Sequence, residues 1–218
     1  MKIKKNDFIE IEFTGKANDE IFDTTNKKEA EQMNSEIDIK NIKPIVVSVG
    51  NQMLLKGFDD ELEGKEIGKK YSIHILPEKA FGKRDPSMIK TIPMRVFKEK
   101  NMNPIPGMVL QLDNYVAKVL SVSGGRVIVD FNNPLAGKEI DYDFKIIKKI
   151  ENINDKINSL QDFFFKQRFK FNIDEKDKKV IFNDEKIKPL VKMFNQKFKD
   201  MIGFEFEVEE KQETTKKK

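Results

Sequence analysis

Residues 49–70 read VGNQMLLKGFDDELEGKEIGKK. Leu54, Phe58 and Leu62 stand four apart with Gly64 behind them, the spacing of one or two helical turns closed by a glycine stop. Upstream, Ile45, Val47 and Val49 alternate after Pro44; downstream, KKYSIHIL (69–76) alternates again with Tyr71, Ile73 and Ile75 on one face. Periodicity therefore gives a β-rich domain with one short helix.

Further out the pattern continues. DFIEIEFTGK (7–16) sets Ile9, Ile11 and Phe13 on one face and Glu10 and Glu12 on the other, as a half-buried strand does. NDEIFDTTN (18–26) is a turn followed by Phe22-Asp23, and residues 27–43 are polar and irregular, a long surface loop by composition. After the third strand comes PEKAFGKRDP (77–86), where Phe81 stands between two of the smallest residues, Ala80 and Gly82.

From Asp85 the character changes. Residues 83–108 carry Pro86, Pro93, Pro104 and Pro106 together with Met88, Met94, Met102 and Met108. Three short β patterns follow, MVLQL, YVAKVLS and RVIVDF, the last two joined by the hairpin signal SVSGGRV. NNPLAGKEIDYDFKII (132–147) then resumes an alternating strand with Ile140, Tyr142, Phe144 and Ile146 on one side. This order predicts a small domain, residues 85–133, inserted into a host formed by 1–84 and 134–150.

Residues 151–210 form a third region. INSLQDFFFKQRFKFNI (157–173) opens as a helix and runs into strand-like FKFNI and KKVIFN. Ile187, Leu190, Val191, Phe194 and Phe198 then trace the stripe of an amphipathic helix, and FEFEV closes as a strand. Residues 211–218 read as a disordered, solvated tail. Ten of the 18 phenylalanines fall between Phe163 and Phe206; they are core, an exposed interface, or both.

Charge separates function classes. Lys+Arg 41 against Asp+Glu 37 leaves +4, with the two signs interleaved, so the segregated basic face that nucleic acid requires is missing. MKIKKNDFIEIEF enters a charged strand pattern directly, and no apolar run approaches the roughly 18 residues of a membrane helix. The expectation is a soluble, cytoplasmic protein without nucleic-acid or membrane partners. With no cysteine and a single histidine, His74, opposite the apolar face of its strand, no metal site or cofactor is expected.

Three fragments, IEFTG with IFDTT, VGNQMLLKGFDDELEGKEIGKK and PEKAFG, closed by NPLAGKEIDYDFKII, resemble the FKBP-type peptidyl-prolyl cis-trans isomerases. The insertion resembles the insert-in-flap domain of the SlyD-like branch, and the C-terminal region resembles that of the long archaeal form. The resemblance implies an α+β fold: a twisted antiparallel sheet wrapping a short helix, a small β-rich insert and a C-terminal α+β domain. It also implies a shallow apolar hollow that takes a proline ring. Carried onto this chain, the catalytic set is Phe13, Phe22, Asp23, Leu54, Leu55, Phe58, Phe81 and Tyr142, with Ile45 and Leu135 beside the substrate. Phe81 would sit at the mouth of the hollow, its small neighbours letting the backbone turn. Phe81 and Phe13 stand where tyrosines are usual in the family, and Phe58 where many members have tryptophan, so the site is poor in donors. The chain ends TTKKK rather than in a His- and Cys-rich tail, so metal binding is not carried over.

The resemblance thus implies an enzyme that twists Xaa-Pro bonds and a chaperone for unfolded proteins; the alternative is a holdase that keeps the fold without useful catalysis. Asp23 either organises the pocket's hydrogen bonds or is a turn residue bonding its own backbone. Met88, Met94, Met102 and Met108 are either packing or an adaptable client-binding surface. A region of about 60 residues buries only part of its apolar surface alone, so a homodimer through residues 151–210 is expected.

Overall fold

The computed structural model describes residues 1–33, 38–112 and 115–209. The tail expected at 211–218 lies outside them, as does part of the 27–43 loop.

The host begins with β1 (Phe8–Ala17) and β2 (Glu20–Thr24). Helix α1 (Lys27–Ala30), β3 (Ile45–Ser48), α2 (Lys56–Asp60) and β4 (Lys70–Ile75) follow. The insert holds β5 (Ile89–Pro93), α3 (Met94–Glu99), β6 (Val109–Leu112), β7 (Tyr115–Ser123) and β8 (Arg126–Asp130). The chain returns through β9 (Ile140–Lys149) to α4 (Ile153–Leu160), one π-helical turn (Gln161–Phe165), β10 (Phe171–Asp174), β11 (Lys179–Phe182), α5 (Lys188–Ile202) and β12 (Glu205–Val208).

Two compact units result. Of the described residues, the first contains those of 1–16, 20–73 and 141–209, and the second those of 17–19 and 74–140. In the first, the sheet runs β2-β1-β9-β4, with β3 pairing the start of β1. The alternation of β1 and β9 has its expected consequence: Ile9, Ile11, Phe13, Ile140, Tyr142, Phe144 and Ile146 are all buried. The antiparallel register sets Phe13 opposite Phe144 and Gly15 opposite Tyr142. Helix α2 buries Phe58 against Phe13, Tyr142 and Phe144.

The C-terminal part carries its own sheet, β10-β11-β12. Strands β11 and β12 are parallel, and α5 is the crossover that such a pair requires. Val191, Phe198 and Met201 form the buried side of α5. Its phenylalanines meet one another: Phe198 lies 4.3 Å from Phe206 and 5.2 Å from Phe164, and Phe182 lies 5.4 Å from Phe206, centroid to centroid.

In the second unit the sheet order is β5-β8-β7-β6, with Gly124 and Gly125 turning β7 into β8 at positive φ. One face packs Leu110, Ala117, Val119, Val127 and Val129 against Phe97 of α3. Two local features escaped the sequence pattern. Strand β5 and helix α3 lie in the proline-rich stretch, because Pro93 ends an edge strand and caps the following helix, where a missing N–H is tolerated. The 27–43 stretch contains α1 and a 3₁₀ turn (Ile39–Asn41), started by the side chains of Asn26 and Asp38, which accept from Lys28 N–H and Lys40 N–H. Among the described residues no helix is long and apolar enough to cross a membrane.

Candidate active site

Phe13 is held by the strand beside it. Its N–H donates to Thr25 Oγ1 (2.8 Å), and its carbonyl accepts from Thr25 N–H (2.9 Å) and Thr24 Oγ1 (3.1 Å). The hydroxyls of Thr14 and Thr24 close the same clamp at 2.8 Å. The pair that follows Asp23 in the sequence therefore fixes the ring-bearing strand to the segment that carries the acid.

Four rings gather on this frame. Phe58 stacks on Tyr142 with centroids 4.5 Å apart, and Phe13 meets both edge-on at 5.5 and 5.6 Å. Phe22 meets Tyr142 at 5.8 Å. Gly15 permits this approach: a β-carbon there would lie 2.6 Å from Tyr142 Cε1 and 2.9 Å from Phe22 Cζ. A glycine inside a strand marks such close contact.

The opposite wall comes from the loop before α2. Asp59, only 4% exposed, accepts from Gly50 N–H (2.8 Å) and Gln52 N–H (2.7 Å), holding Gln52 in a left-handed conformation (φ 58°). Ser48 N–H donates to Met53 Sδ at 3.2 Å. These bonds fix the loop that sets Met53, Leu54 and Leu55 along a hollow of about 620 Å³, whose lining also includes Phe13, Asp23, Ile45, Lys43 and Phe163. Of the sequence-derived set, Phe13, Asp23, Ile45, Leu54 and Leu55 thus share one hollow. Phe58 and Tyr142 support Phe13 from the ring cluster, with Phe22 packed on Tyr142.

The electrostatics suit an apolar site. Asp23 is exposed at the surface, yet the apolar walls beside it strip part of the water from its carboxyl and raise it above the ordinary value, partly offset by the N–H of Thr24. Burial pushes the Tyr142 hydroxyl far up, and the charge of Asp23 adds to the effect, so Tyr142 stays neutral. Among the described residues the lining has no histidine, and the chain has no cysteine.

The remaining expected residues lie in the second unit. Phe81 is half-buried; the turn after it uses Gly82 at φ 78°, whose N–H donates to Pro77 O (2.7 Å) and whose carbonyl accepts from Gly137 N–H (2.8 Å). Leu135 is half-buried, with its N–H on Asn133 Oδ1. Met94 and Met102 pack against the insert's core, Met88 is half-buried and Met108 is 37% exposed. His74 is exposed, with Nε2 3.2 Å from a carboxylate oxygen of Glu139. Sequence reasoning missed Gly15, Met53, Asp59 and Phe163. Gly15 inside an alternating strand was a readable signal; a buried Asp59 among the surface acids of FDDELE was not.

A family model described as FKBP-type peptidyl-prolyl cis-trans isomerase matches residues 1–98, and one described as FKBP26, IF domain, matches residues 90–135. The chain is similar to the short-type peptidyl-prolyl cis-trans isomerase of Methanocaldococcus jannaschii, 31% identical over 144 residues, which is 66% of this chain and 92% of that one. It is also similar to a probable FKBP-type 16 kDa isomerase of Pseudomonas fluorescens, 35% identical over 48% of this chain and 71% of that one. A third relative is SlyD of Haemophilus influenzae, 24% identical over 67% of this chain and 72% of that one. With the ring cluster, the hollow and the inserted sheet in place, this chain belongs to the FKBP-type peptidyl-prolyl cis-trans isomerases and is an isomerase that carries the family's insert domain.

Proposed function

We propose that the hollow over Phe13 binds a proline ring and lowers the barrier to rotation of the preceding amide, and that the insert holds the unfolded chain to which that proline belongs. Rotation about an Xaa-Pro bond sacrifices amide resonance, at about 18–20 kcal/mol. The twisted amide is less polar than either planar form, so walls of phenylalanine, leucine and methionine favour it. Stronger binding of that state than of the planar ones is catalysis, with no proton or covalent bond transferred. Leu55, at the N-terminus of α2, would orient the adjoining carbonyl through its N–H, and Asp23 would order the polar rim. The observation that carries this reading is the shared lining of Phe13, Asp23, Ile45, Leu54 and Leu55. A coupled assay on a short Xaa-Pro peptide tests it: acceleration is expected, and no acceleration at any enzyme concentration overturns it.

The chaperone half rests on the second face of the insert sheet. Val109 (64% exposed), Val116 (51%), Leu120 and Ile128 alternate with the buried residues and lie outward. A sheet that is apolar on its solvent side is a surface for a partner. Part of it, with Pro134 and Ala136, borders a hollow of about 610 Å³. With Met94 and Met102 packed inward, the client surface in this reading consists mainly of these branched side chains. The same face also favours the second reading, a holdase without useful turnover. An isomerase speeds proline-limited refolding at substoichiometric amounts, whereas a holdase suppresses aggregation only near equimolar ratio.

A further inference from the structure

The C-terminal region contributes to the proline hollow. Helix α4 packs against β3, and the π turn that continues α4 brings Phe163 into the lining with Asp23, Leu54 and Leu55. The turn is tied to the segment that follows it. Gln161, fully buried, accepts from Phe169 N–H at 2.7 Å, and Asp162 takes two bonds from Arg168 at 2.8 and 2.6 Å. π turns add a residue to a helical turn and recur at functional sites. Here Phe165 is buried, ring to ring with Phe182 and Phe198, and Phe164 packs on Phe194 and Phe198, while Phe163 stays half-exposed beside the first hollow.

A second hollow of about 410 Å³ lies between β3 and α4 and shares Lys43, Ile45, Met53 and Phe163 with the first. Its lining also includes Asp155, Asn158 and Arg168. We propose that the two hollows form one track, in which Phe163 and the β3–α4 groove hold the residues of an extended substrate chain that flank the proline. This assignment rests on the isomerase reading of the first hollow. The continuous lining names the occupant: a chain whose proline fills the first hollow must leave it, and the groove opens from the same four residues. Its charges are mixed, Glu10, Asp155 and Asp162 against Lys43, Lys148, Lys166 and Arg168, so the small positive excess selects the occupant only weakly. Apolar contact with Ile45, Met53 and Phe163 selects it instead, and the flanking residue preferred is a large apolar one. The C-terminal region is thereby a specificity element of the isomerase.

The test compares kcat/KM for an Xaa-Pro tetrapeptide with that for peptides extended by leucine-containing segments on either side of the proline, at low and high salt. For the full chain, extension on one side is expected to raise kcat/KM by about fivefold, with little salt dependence. Phe163→Ala and Asp155→Trp, which fills part of the groove from its lining, should each cut that ratio at least about threefold, and Phe163→Leu should keep most of it. Asp155→Trp, at an exposed site, guards against a misfolded Phe163→Ala. A wild-type ratio near one, or a ratio that both variants leave unchanged, overturns the track. If the full chain fails to turn over the tetrapeptide, the isomerase reading falls instead. Fluorescence anisotropy of the labelled extended peptide then reads the track directly, with weaker binding to Asp155→Trp expected and equal binding overturning it.

Discussion

Phe58, from the short helix, and Tyr142, from the last strand of the host sheet, lie face to face with ring centroids 4.5 Å apart and planes inclined by 25°. Phe13 closes on both of them edge-on, and the hollow for substrate opens along Phe13. The position of Phe13's ring therefore depends on rings that the hollow's lining does not include.

Gly15 tests this dependence. A methyl there must displace Tyr142 and Phe22, and overpacking of this kind costs about 1–3 kcal/mol. Gly15→Ala should lower the urea midpoint and kcat/KM on a short Xaa-Pro peptide together. A variant as stable and active as the parent would refute the coupling.

The loop that carries Met53, Leu54 and Leu55 is anchored by one buried carboxylate. Asp59→Ala leaves the N–H groups of Gly50 and Gln52 without their acceptor, at about 2–3 kcal/mol. The expected result is a destabilised protein whose activity falls further than its folded fraction does, read by calorimetry beside the peptide assay. Activity that follows the folded fraction alone would leave the anchor without a role in the site.

Asp23, though exposed, carries a charge that partial loss of water beside the hollow penalises. Its folded pKa is raised, so the ionised form costs stability at neutral pH, and this cost disappears as pH falls through the raised value towards that of the unfolded chain. Asp23→Asn should therefore unfold at a slightly higher temperature than the parent at pH 7, the effect kept small by solvent around an exposed group and the gap narrowing towards pH 4. Turnover should fall, since the rim loses its charge. A gap that widens in acid would reverse the sign of the assigned shift.

The insert is closed at its base by Asp85 and Asn132: Asp85 N–H donates to Asn132 Oδ1 and Asn132 Nδ2 donates to Asp85 O, both at 2.9 Å. Arg84 pairs with Asp130 beside them. Removing residues 85–133 at this neck should spare tetrapeptide isomerisation and sharply slow catalysed refolding of a proline-limited protein. Val109→Ser with Val116→Ser in the full chain should reduce suppression of client aggregation. Equal loss in the peptide and refolding assays would make the insert merely structural.

Much of the fold could be read from local periodicity. The alternation of Ile9, Ile11 and Phe13, the strand of Ile140, Tyr142, Phe144 and Ile146, the glycine hairpin at 124–125 and the stripe of α5 each follow from side-chain direction along a strand or helix, which neighbours in sequence specify. Strand β5 and helix α3 were hidden because proline is a breaker except at an edge or a cap, and edges are defined only by the finished sheet. The methionines of the insert allowed packing or a client-binding surface in sequence; Met94 and Met102 lie against its core, while Met108 stays exposed along with Val109, Val116, Leu120 and Ile128.

The sequence by itself determined the family, the insertion and the composition of an apolar site, since these are written in the order and spacing of its fragments. Only the tertiary structure decided which phenylalanines line a hollow and which pack on one another. It also decided that Gly15 and Asp59 shape that hollow and that Phe163, far along the chain, borders it. Ring against ring and donor against acceptor are contacts between distant segments, and their geometry exists only once burial of apolar surface has brought those segments together.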